Sequence, residues 1–90
     1  MDIVTSELYK KQLKDILEML IKIDVDATKS FKIYLDTVIM NMPTKVKKYK
    51  KSIYFDDDNI KDIEFQGCRI PFMIDDVNNR YYIIGITSKG

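Results

Sequence analysis

The chain has 90 residues, of which 46% are hydrophobic and 32% are charged, and its formal net charge is +1. This length suffices for one hydrophobic core, and the composition excludes wholesale disorder. No apolar run approaches the roughly 20 residues that a membrane-spanning helix needs, and the first residues lack the order of a signal peptide. A single cysteine, Cys68, excludes an internal disulfide and fits a reducing compartment. We therefore expect one domain over residues 1–90, located in the cytoplasm.

Basic charge is concentrated in one short segment of the chain. Residues 44–51 contain five lysines and no acidic residue, whereas residues 1–43 and residues 52–90 each contain more acidic than basic residues. The near-neutral balance of the whole chain is not that of a typical nucleic-acid-binding domain. The basic segment, called the lysine segment below, consists of Lys45, Lys47, Lys48, Lys50 and Lys51.

The N-terminal half has the pattern of a short strand followed by two helices. Residues 2–5 are β-prone and form a candidate edge strand, and Ser6 can cap a helix. Residues 7 to about 23 and residues 27 to about 42 each carry apolar side chains at three- and four-residue spacing, and Pro43 ends the second pattern. Because few residues separate these helices, they are expected to form an antiparallel hairpin. The two stripes are Tyr9, Leu13, Ile16, Leu17, Leu20 and Ile23, and Phe31, Tyr34, Leu35, Val38, Ile39 and Met42.

The C-terminal part, residues 60–87, has the pattern of three antiparallel strands. Apolar residues alternate on either side of Gly67, which suits a tight turn, and residues 76–79 form a second polar turn. Residues 81–86 are apolar on both faces, so this strand is expected to be central in the sheet. Residues 53–55 are apolar and are expected to pack on the core. The predicted fold class is α+β, with the short N-terminal strand and the helical hairpin packed on one face of a small antiparallel sheet.

The order of strand, helical hairpin and three-stranded meander resembles the RelE/ParE superfamily of toxins. The most specific piece is residues 67–75, GCRIPFMID, which are similar to that superfamily's glycine, arginine and alternating apolar pattern. The resemblance implies a toxin that arrests growth until a cognate antitoxin neutralises it. Two activities occur in the superfamily, namely cleavage of messenger RNA in the ribosome and poisoning of DNA gyrase.

The resemblance also implies where catalytic residues would lie if the chain cleaves RNA. Members with that activity use no metal or other cofactor and surround the RNA with basic residues, which stabilise charge at phosphorus and move protons. Arg69 matches the arginine after the glycine turn, and Lys89 stands near the position of a second basic residue. Tyr82, or its neighbour Tyr81, could stack on a base. The structural alternatives are that Arg69 pairs with a neighbouring carboxylate and that the tyrosines pack across strands.

Several positions depart from the RNA-cleaving pattern. Glu64 lies on the strand where that pattern has lysines, and a carboxylate there would repel a phosphate. The pattern has a tyrosine beyond the last strand, which is absent before Gly90, and the chain contains no histidine. Without a neighbouring histidine, nucleophilic catalysis by Cys68 is not expected. Residues 56–59 are expected to form a polar turn because they lack the glycine and glutamate of a calcium-binding loop.

Three hypotheses follow for the function. The first is a toxin that cleaves ribosome-bound messenger RNA, with the lysine segment following the phosphate backbone. The second is a toxin that inhibits DNA gyrase, and the third is a binding protein of the same fold without catalytic activity. The lysine segment could equally be a solvated connector or a docking site for an acidic stretch of antitoxin. An antitoxin is expected to bind as a helix in a groove or as an added strand, either at residues 2–5 or on the exposed side of the hairpin.

Overall fold

A computed structural model describes residues 1–88 of the chain. Two helices follow a short first strand, and a 3₁₀ stretch with a kink at Lys45, whose φ and ψ angles are not helical, leads from the second helix toward the remaining strands. None of the helices in this range is long and apolar enough to cross a membrane. The elements are β1 (Asp2–Thr5), α1 (Glu7–Ile21), α2 (Val25–Asn41), a 3₁₀ helix (Met42–Lys48), β2 (Ile60–Phe65), β3 (Cys68–Asp75), β4 (Arg80–Ile83) and β5 (Thr87–Ser88).

The strands of residues 1–88 form one mixed sheet in the order β1-β4-β3-β2. β2, β3 and β4 are the expected antiparallel meander, and β5 pairs antiparallel with the start of β3. β1 pairs with β4 in parallel, which places β4 in the interior of the sheet as predicted. The predicted α+β fold class is confirmed. The third predicted strand, residues 81–86, ends at Ile83, and the separate strand β5 follows it. This break and the parallel pairing of β1 are features that the sequence pattern did not show.

Local side-chain chemistry explains where the two helices begin and end. The Ser6 hydroxyl accepts a hydrogen bond from the Tyr9 amide at 2.9 Å, and the Asp24 carboxylate accepts one from the Ala27 amide at 3.0 Å. Each side chain thereby satisfies an amide that the first turn leaves without a partner. α2 ends at Asn41 because Pro43 cannot continue the hydrogen-bond ladder, and the chain tightens into the 3₁₀ helix.

The hydrophobic core lies between the helical hairpin and one face of the sheet. Leu35 of α2 and Ile70, Phe72 and Ile83 of the sheet are fully buried there. The Phe72 ring makes edge contacts with two other aromatic rings, those of Tyr49 and Tyr81, at centroid distances of 5.7 and 6.5 Å. The helical stripes supply most of the other core side chains, although Ile23 and Tyr34 are exposed.

The turn between β2 and β3 fixes the register of the hairpin. Gln66 and Gly67 both have positive φ angles, 45° and 78°, as the type I′ turn of a two-residue hairpin loop requires. With this loop, Phe65 lies opposite Cys68 and Glu64 lies opposite Arg69. The glycine predicted to make a tight turn therefore does so.

The prediction that residues 53–55 pack on the core is wrong. The exposed fractions are 69% for Ile53, 47% for Tyr54 and 39% for Phe55. Within residues 1–88, these residues precede β2 and contact Asp62 and Thr87 on the side of the sheet away from the helices. Polar contacts hold their backbone in place instead, and these contacts form part of the site described next.

Candidate functional site

The open face of the sheet, which is the face opposite the helices, carries a charged cluster at its β2–β3 end. Side chains alternate along a strand, so while Ile63 and Ile70 face the helices, the neighbouring Asp62, Glu64 and Arg69 lie on the open face. The sequence predicted Arg69 as a candidate catalytic residue. Its side chain does lie on the side of the sheet that the helices leave uncovered.

Two carboxylates hold the Arg69 guanidinium. Nη1 donates to Asp62 Oδ2 at 3.1 Å, and Nη2 donates to Glu64 Oε1. The Arg69 side chain is 16% exposed and the Asp62 side chain is 2% exposed, so the Arg69–Asp62 ion pair is largely removed from water. Glu64, whose side chain is 57% exposed, holds the outer edge of the guanidinium. The structure thus contains the carboxylate pairing that was the structural alternative for Arg69.

A short segment, residues 52–55, is hydrogen-bonded to this ion pair, and we call it the strap. The Ile53 amide donates to Asp62 Oδ2 at 3.0 Å, which is the same oxygen that accepts from Arg69. The Tyr54 amide donates to the Ser52 hydroxyl at 3.1 Å, and the Tyr54 hydroxyl lies 2.8 Å from Thr87 Oγ1. Thr87 is the β5 residue opposite Arg69, so the strap is attached on both sides of the arginine.

The electrostatics of this cluster decide what Arg69 can bind. A guanidinium presents donors in a planar fork that matches a carboxylate or a phosphate. Asp62 and Glu64 occupy that fork, and together they carry two negative charges against the one positive charge of Arg69. An incoming phosphate could therefore bind Arg69 only by replacing at least one carboxylate.

Tyr82, the second candidate catalytic residue, lies elsewhere on the open face. It pairs in register with Met73, which is four residues from Arg69 along β3, a separation of about 13 Å. The Arg80 guanidinium lies 5.0 Å from the centroid of the Tyr82 ring. The structure therefore does not bring Arg69 and Tyr82 together. Lys89, the third candidate, lies outside the described residues.

A second ion pair lies beside Tyr82. Arg80 Nε donates to Asp75 Oδ2 at 2.9 Å, and the Asn78 side chain donates to the same oxygen at 2.8 Å. These hydrogen bonds lower the pKa of Asp75 below its ordinary value, and the bond from the Asn78 side chain has the largest effect. The cluster closes the turn between β3 and β4, and we assign it a structural role there.

The lysine segment lies along the outer edge of β2. The hydrophobic contacts of Val46 and Tyr49 with the core anchor it, while its five lysines are exposed. The Asp62 amide donates to the Lys50 carbonyl at 3.2 Å. Lys51 Nζ lies 2.8 Å from Asp56 Oδ1, and this hydrogen bond is the main reason that the pKa of Lys51 is raised. Part of the basic charge is therefore balanced by the acidic turn that follows it.

A groove lies on the opposite side of the molecule, between α1, α2 and β1. We call it the hairpin groove, and its volume is about 850 Å³. Its wall is mainly apolar, with Tyr9 buried in it. Burial first, and the Asp36 carboxylate second, raise the pKa of Tyr9 to about 12, so this phenol is neutral at ordinary pH. Other apolar lining residues are Ile3, Leu13, Leu17, Ile21, Val25, Ile39 and Met40.

Charges and a strand edge border the hairpin groove. Four lysines line it against two acidic residues, Glu18 and Asp36, so its rim has an excess of positive charge. β1 is the end strand of the sheet, and the Asp2 and Ser6 amides donate inward to carbonyls at Asn79 and Ile83. Since alternate residues of a strand direct their backbone groups to opposite sides, the backbone of Ile3 and Thr5 faces the open edge. The lysines are Lys10, Lys14, Lys29 and Lys32.

The described residues contain no arrangement suited to a metal or a thiol nucleophile. No group of three or more His, Cys, Asp or Glu side chains within residues 1–88 could hold a metal ion. Cys68 is buried, and burial raises the pKa of its thiol above the ordinary value. A raised pKa disfavours the reactive thiolate.

Sequence reasoning missed three residues of the open-face cluster, namely Asp62, Tyr54 and Thr87. Asp62 had a signal, because it alternates with Glu64 on the strand that precedes the glycine turn. Tyr54 and Thr87 had none, because their contact joins residues 33 positions apart.

Comparisons with known proteins support the fold. No protein-family model matches the chain, and no curated protein matches it. A chain of the chromosomal ParDE TA system from P. aeruginosa superposes with a TM-score of 0.73 at 12% sequence identity, covering 100% of this chain and 97% of that chain. The conserved hypothetical protein HP0892 from Helicobacter pylori superposes with a TM-score of 0.61 at 18% identity, covering 98% and 93%. The RelE/ParE-like fold that the sequence predicted is therefore confirmed.

Proposed function

We propose that this chain is the toxin of a type II toxin–antitoxin system, that it arrests growth by acting on ribosome-bound messenger RNA, and that a cognate antitoxin neutralises it. The observation that carries the toxin assignment is the superposition, over nearly the full length of both chains, on a member of a ParDE TA system.

We propose that Arg69 contacts the RNA once its carboxylate partners are displaced. It lies on the open face of the sheet, and the lysine segment borders the adjacent strand β2. A guanidinium there would grip a phosphate oxygen and stabilise the charge that develops on it during cleavage. Lys89 and Tyr82 remain candidates for proton transfer and base stacking from the resemblance alone.

Inhibition of DNA gyrase is the second candidate function, and a specific observation favours it. Asp62 and Glu64 occupy the Arg69 guanidinium, and Tyr82 lies on β4 opposite Met73, which is about 13 Å from Arg69 along β3. Such a surface suits binding to a protein target better than phosphate chemistry. The match to a chain of a ParDE system is compatible with either target.

We further propose that the antitoxin occupies the hairpin groove. The groove combines an apolar wall, a lysine-rich rim and the free edge of β1. A partner segment with alternating apolar and acidic side chains would bury its apolar side chains in the groove and place its carboxylates near the lysines. Its backbone could pair with the outward-facing groups of Ile3 and Thr5.

Induced expression in a bacterial host tests the toxin assignment. We expect viable counts to fall on induction and to recover when the protein encoded by the neighbouring reading frame is co-expressed. Sequencing of RNA 5′ ends during induction would show new cleavage sites if messenger RNA is the target. Stalled gyrase cleavage complexes with intact messages would show the second function instead. Unimpaired growth at high levels of folded protein would contradict both.

Charge reversal in the groove tests the antitoxin site. Lys14 and Lys29 line the groove, whereas Lys11 is exposed on α1 and does not line it. We expect the double variant Lys14→Glu/Lys29→Glu to stay toxic but to lose rescue by the antitoxin. Lys11→Glu, the matched control, should be rescued normally. Equal rescue of both variants would place the antitoxin elsewhere.

A further inference from the structure

The strap is attached to the sheet by polar contacts, and none of residues 53–55 belongs to the hydrophobic core. Ile53 keeps 69%, Tyr54 47% and Phe55 39% of its surface exposed in the closed state. The attachments are the hydrogen bonds from the Ile53 amide to Asp62, from the Ser52 amide to the Ile60 carbonyl and between the Tyr54 and Thr87 hydroxyls. Hydrogen bonds that water can replace contribute little net free energy each, so opening the strap requires far less than unfolding the sheet.

The closed state also leaves two buried polar atoms without hydrogen bonds. Within residues 1–88, Arg69 Nε and Asp62 Oδ1 are the buried side-chain nitrogen and oxygen atoms that have no partner. Such atoms are rare in folded proteins because their desolvation is not compensated. Both belong to the same ion pair, beneath the same strap. The closed arrangement is therefore less stable than its contacts alone suggest.

Release of Arg69 and opening of the strap are coupled through one oxygen atom. Asp62 Oδ2 accepts from both Arg69 Nη1 and the Ile53 amide. If Arg69 left while the strap stayed closed, the Asp62 carboxylate, 2% exposed, would be buried without a counter-charge. Opening of the strap lets water reach that carboxylate, so the two movements are favourable only together.

From these observations we propose that the strap is a removable cover over Arg69. In the closed state Asp62 and Glu64 occupy the guanidinium as internal carboxylate ligands. In the open state Asp62 is hydrated, and Arg69 exchanges its carboxylates for a phosphodiester oxygen of single-stranded RNA. The identity of this ligand rests on the proposed function, whereas the opening itself is a property of this chain alone.

Chemical modification of arginine measures the opening directly. Phenylglyoxal reacts with accessible guanidinium groups, and the chain contains two arginines, Arg69 and Arg80. Arg80 therefore serves as an internal reference within the same molecule, and peptide mass spectrometry distinguishes the two sites. Tyr54→Phe removes the hydroxyl that bonds to Thr87 and keeps the ring. We expect Arg69 in this variant to react about 2 to 12 times faster than in the unaltered protein, with the Arg80 rate unchanged.

Two further variants serve as controls: one removes an unrelated tyrosine hydroxyl, and the other removes the second partner of the Tyr54–Thr87 hydrogen bond. Tyr34→Phe removes the hydroxyl of an exposed tyrosine on α2 and should leave both rates unchanged. Thr87→Val removes the other half of the hydroxyl pair and should accelerate Arg69 as Tyr54→Phe does. If Arg69 is modified at the same rate in the unaltered protein and in both strap variants, the strap does not cover Arg69 and the proposal is contradicted. Equal acceleration at Arg69 and Arg80 would also overturn it, because it would indicate general loosening of the fold.

An excess of single-stranded RNA oligonucleotide separates the cover from the proposed ligand. If the open state binds RNA, the oligonucleotide should slow modification of Arg69 in Tyr54→Phe while leaving Arg80 unaffected. If Tyr54→Phe accelerates modification of Arg69 but RNA does not slow it, the result would support the strap as a cover and would contradict RNA as the ligand of Arg69. That result would favour the gyrase-directed alternative.

Discussion

The helix-covered face and the open face of the same sheet are built from different side chains and are stabilised in different ways. Ile70 and Phe72 of β3 are fully buried under the helices, whereas Arg69, between them and the turn, lies on the open face in an ion pair. The covered face gains stability from the removal of apolar surface from water. The open face depends on a few polar contacts, which are directional and can be exchanged. A small domain can thus keep a buried apolar core directly beneath a surface that polar contacts hold together.

The largest expected effect comes from the covered face. Phe72→Ala should lower the free energy of unfolding by about 3–5 kcal/mol, because it removes a fully buried ring that contacts Tyr49 and Tyr81. Urea denaturation followed by circular dichroism measures the change. Ile33→Ala, at a position that is 63% exposed, is the control and should cost far less. If Phe72→Ala lowers the free energy of unfolding no more than Ile33→Ala does, the covered face does not depend on burial as we describe.

The ion pair on the open face is the next test. Arg69→Met should cost about 3 kcal/mol of stability, because it leaves the buried Asp62 carboxylate without a counter-charge. Replacing both partners with apolar residues, as Asp62→Leu/Arg69→Met, should restore most of that loss. Denaturant unfolding of the two variants provides the comparison. If the double variant is less stable than the single one, the ion pair stabilises the fold beyond providing each buried charge with a counter-charge.

Tyr9 gives the covered side a distinctive dependence on pH. Its pKa in the folded protein is about 12, against 10.0 for an unperturbed tyrosine, so folding favours the neutral phenol. The stability that follows is fully present below pH 10, decreases as the pH rises, and is lost above about pH 12. The loss should be roughly 2 to 3 kcal/mol. The difference in stability between the unaltered protein and Tyr9→Phe, measured from pH 9 to pH 12, isolates this contribution, and a constant difference would contradict it.

The smallest expected effect is at the junction between the two layers. The Ser6 hydroxyl caps α1 through the Tyr9 amide and donates to the Ile84 carbonyl after β4. Ser6→Ala should therefore lower the free energy of unfolding by about 1 kcal/mol. Ser6→Thr retains a hydroxyl at this position and should recover part of the loss. Thermal unfolding of the three proteins side by side is sufficient to rank them.

The sequence predicted most of the covered face. The alternation in β3 identified Ile70 and Phe72 as one face, and the three- and four-residue spacing identified both helices. These features are local, since each depends on neighbours within one turn or one strand. The pairing of Glu64 with Arg69 was also within reach, because a two-residue turn at Gln66 and Gly67 places them opposite each other.

The rest of the open face depended on contacts between distant residues. The strap residues 53–55 are apolar, and local pattern therefore predicted burial, but the helices cover only the other face of the sheet. The contact of Tyr54 with Thr87 and the parallel pairing of β1 with β4 join segments that are far apart in the chain. The Asp62 carboxylate accepts from the Ile53 amide and from Arg69, so its pairing also depends on contacts outside its own strand.

Native-state hydrogen exchange tests most directly whether the two faces open separately. The Ile53 and Tyr54 amides, which donate to Asp62 and Ser52, report on the strap, and the Ile84 amide, which donates to Pro71, reports on the sheet. We predict that the strap amides exchange by a local opening whose free energy barely changes with low concentrations of denaturant. The Ile84 amide should follow global unfolding, with its full dependence on denaturant. If all three amides share one free energy and one denaturant slope, the faces open together and the account is contradicted.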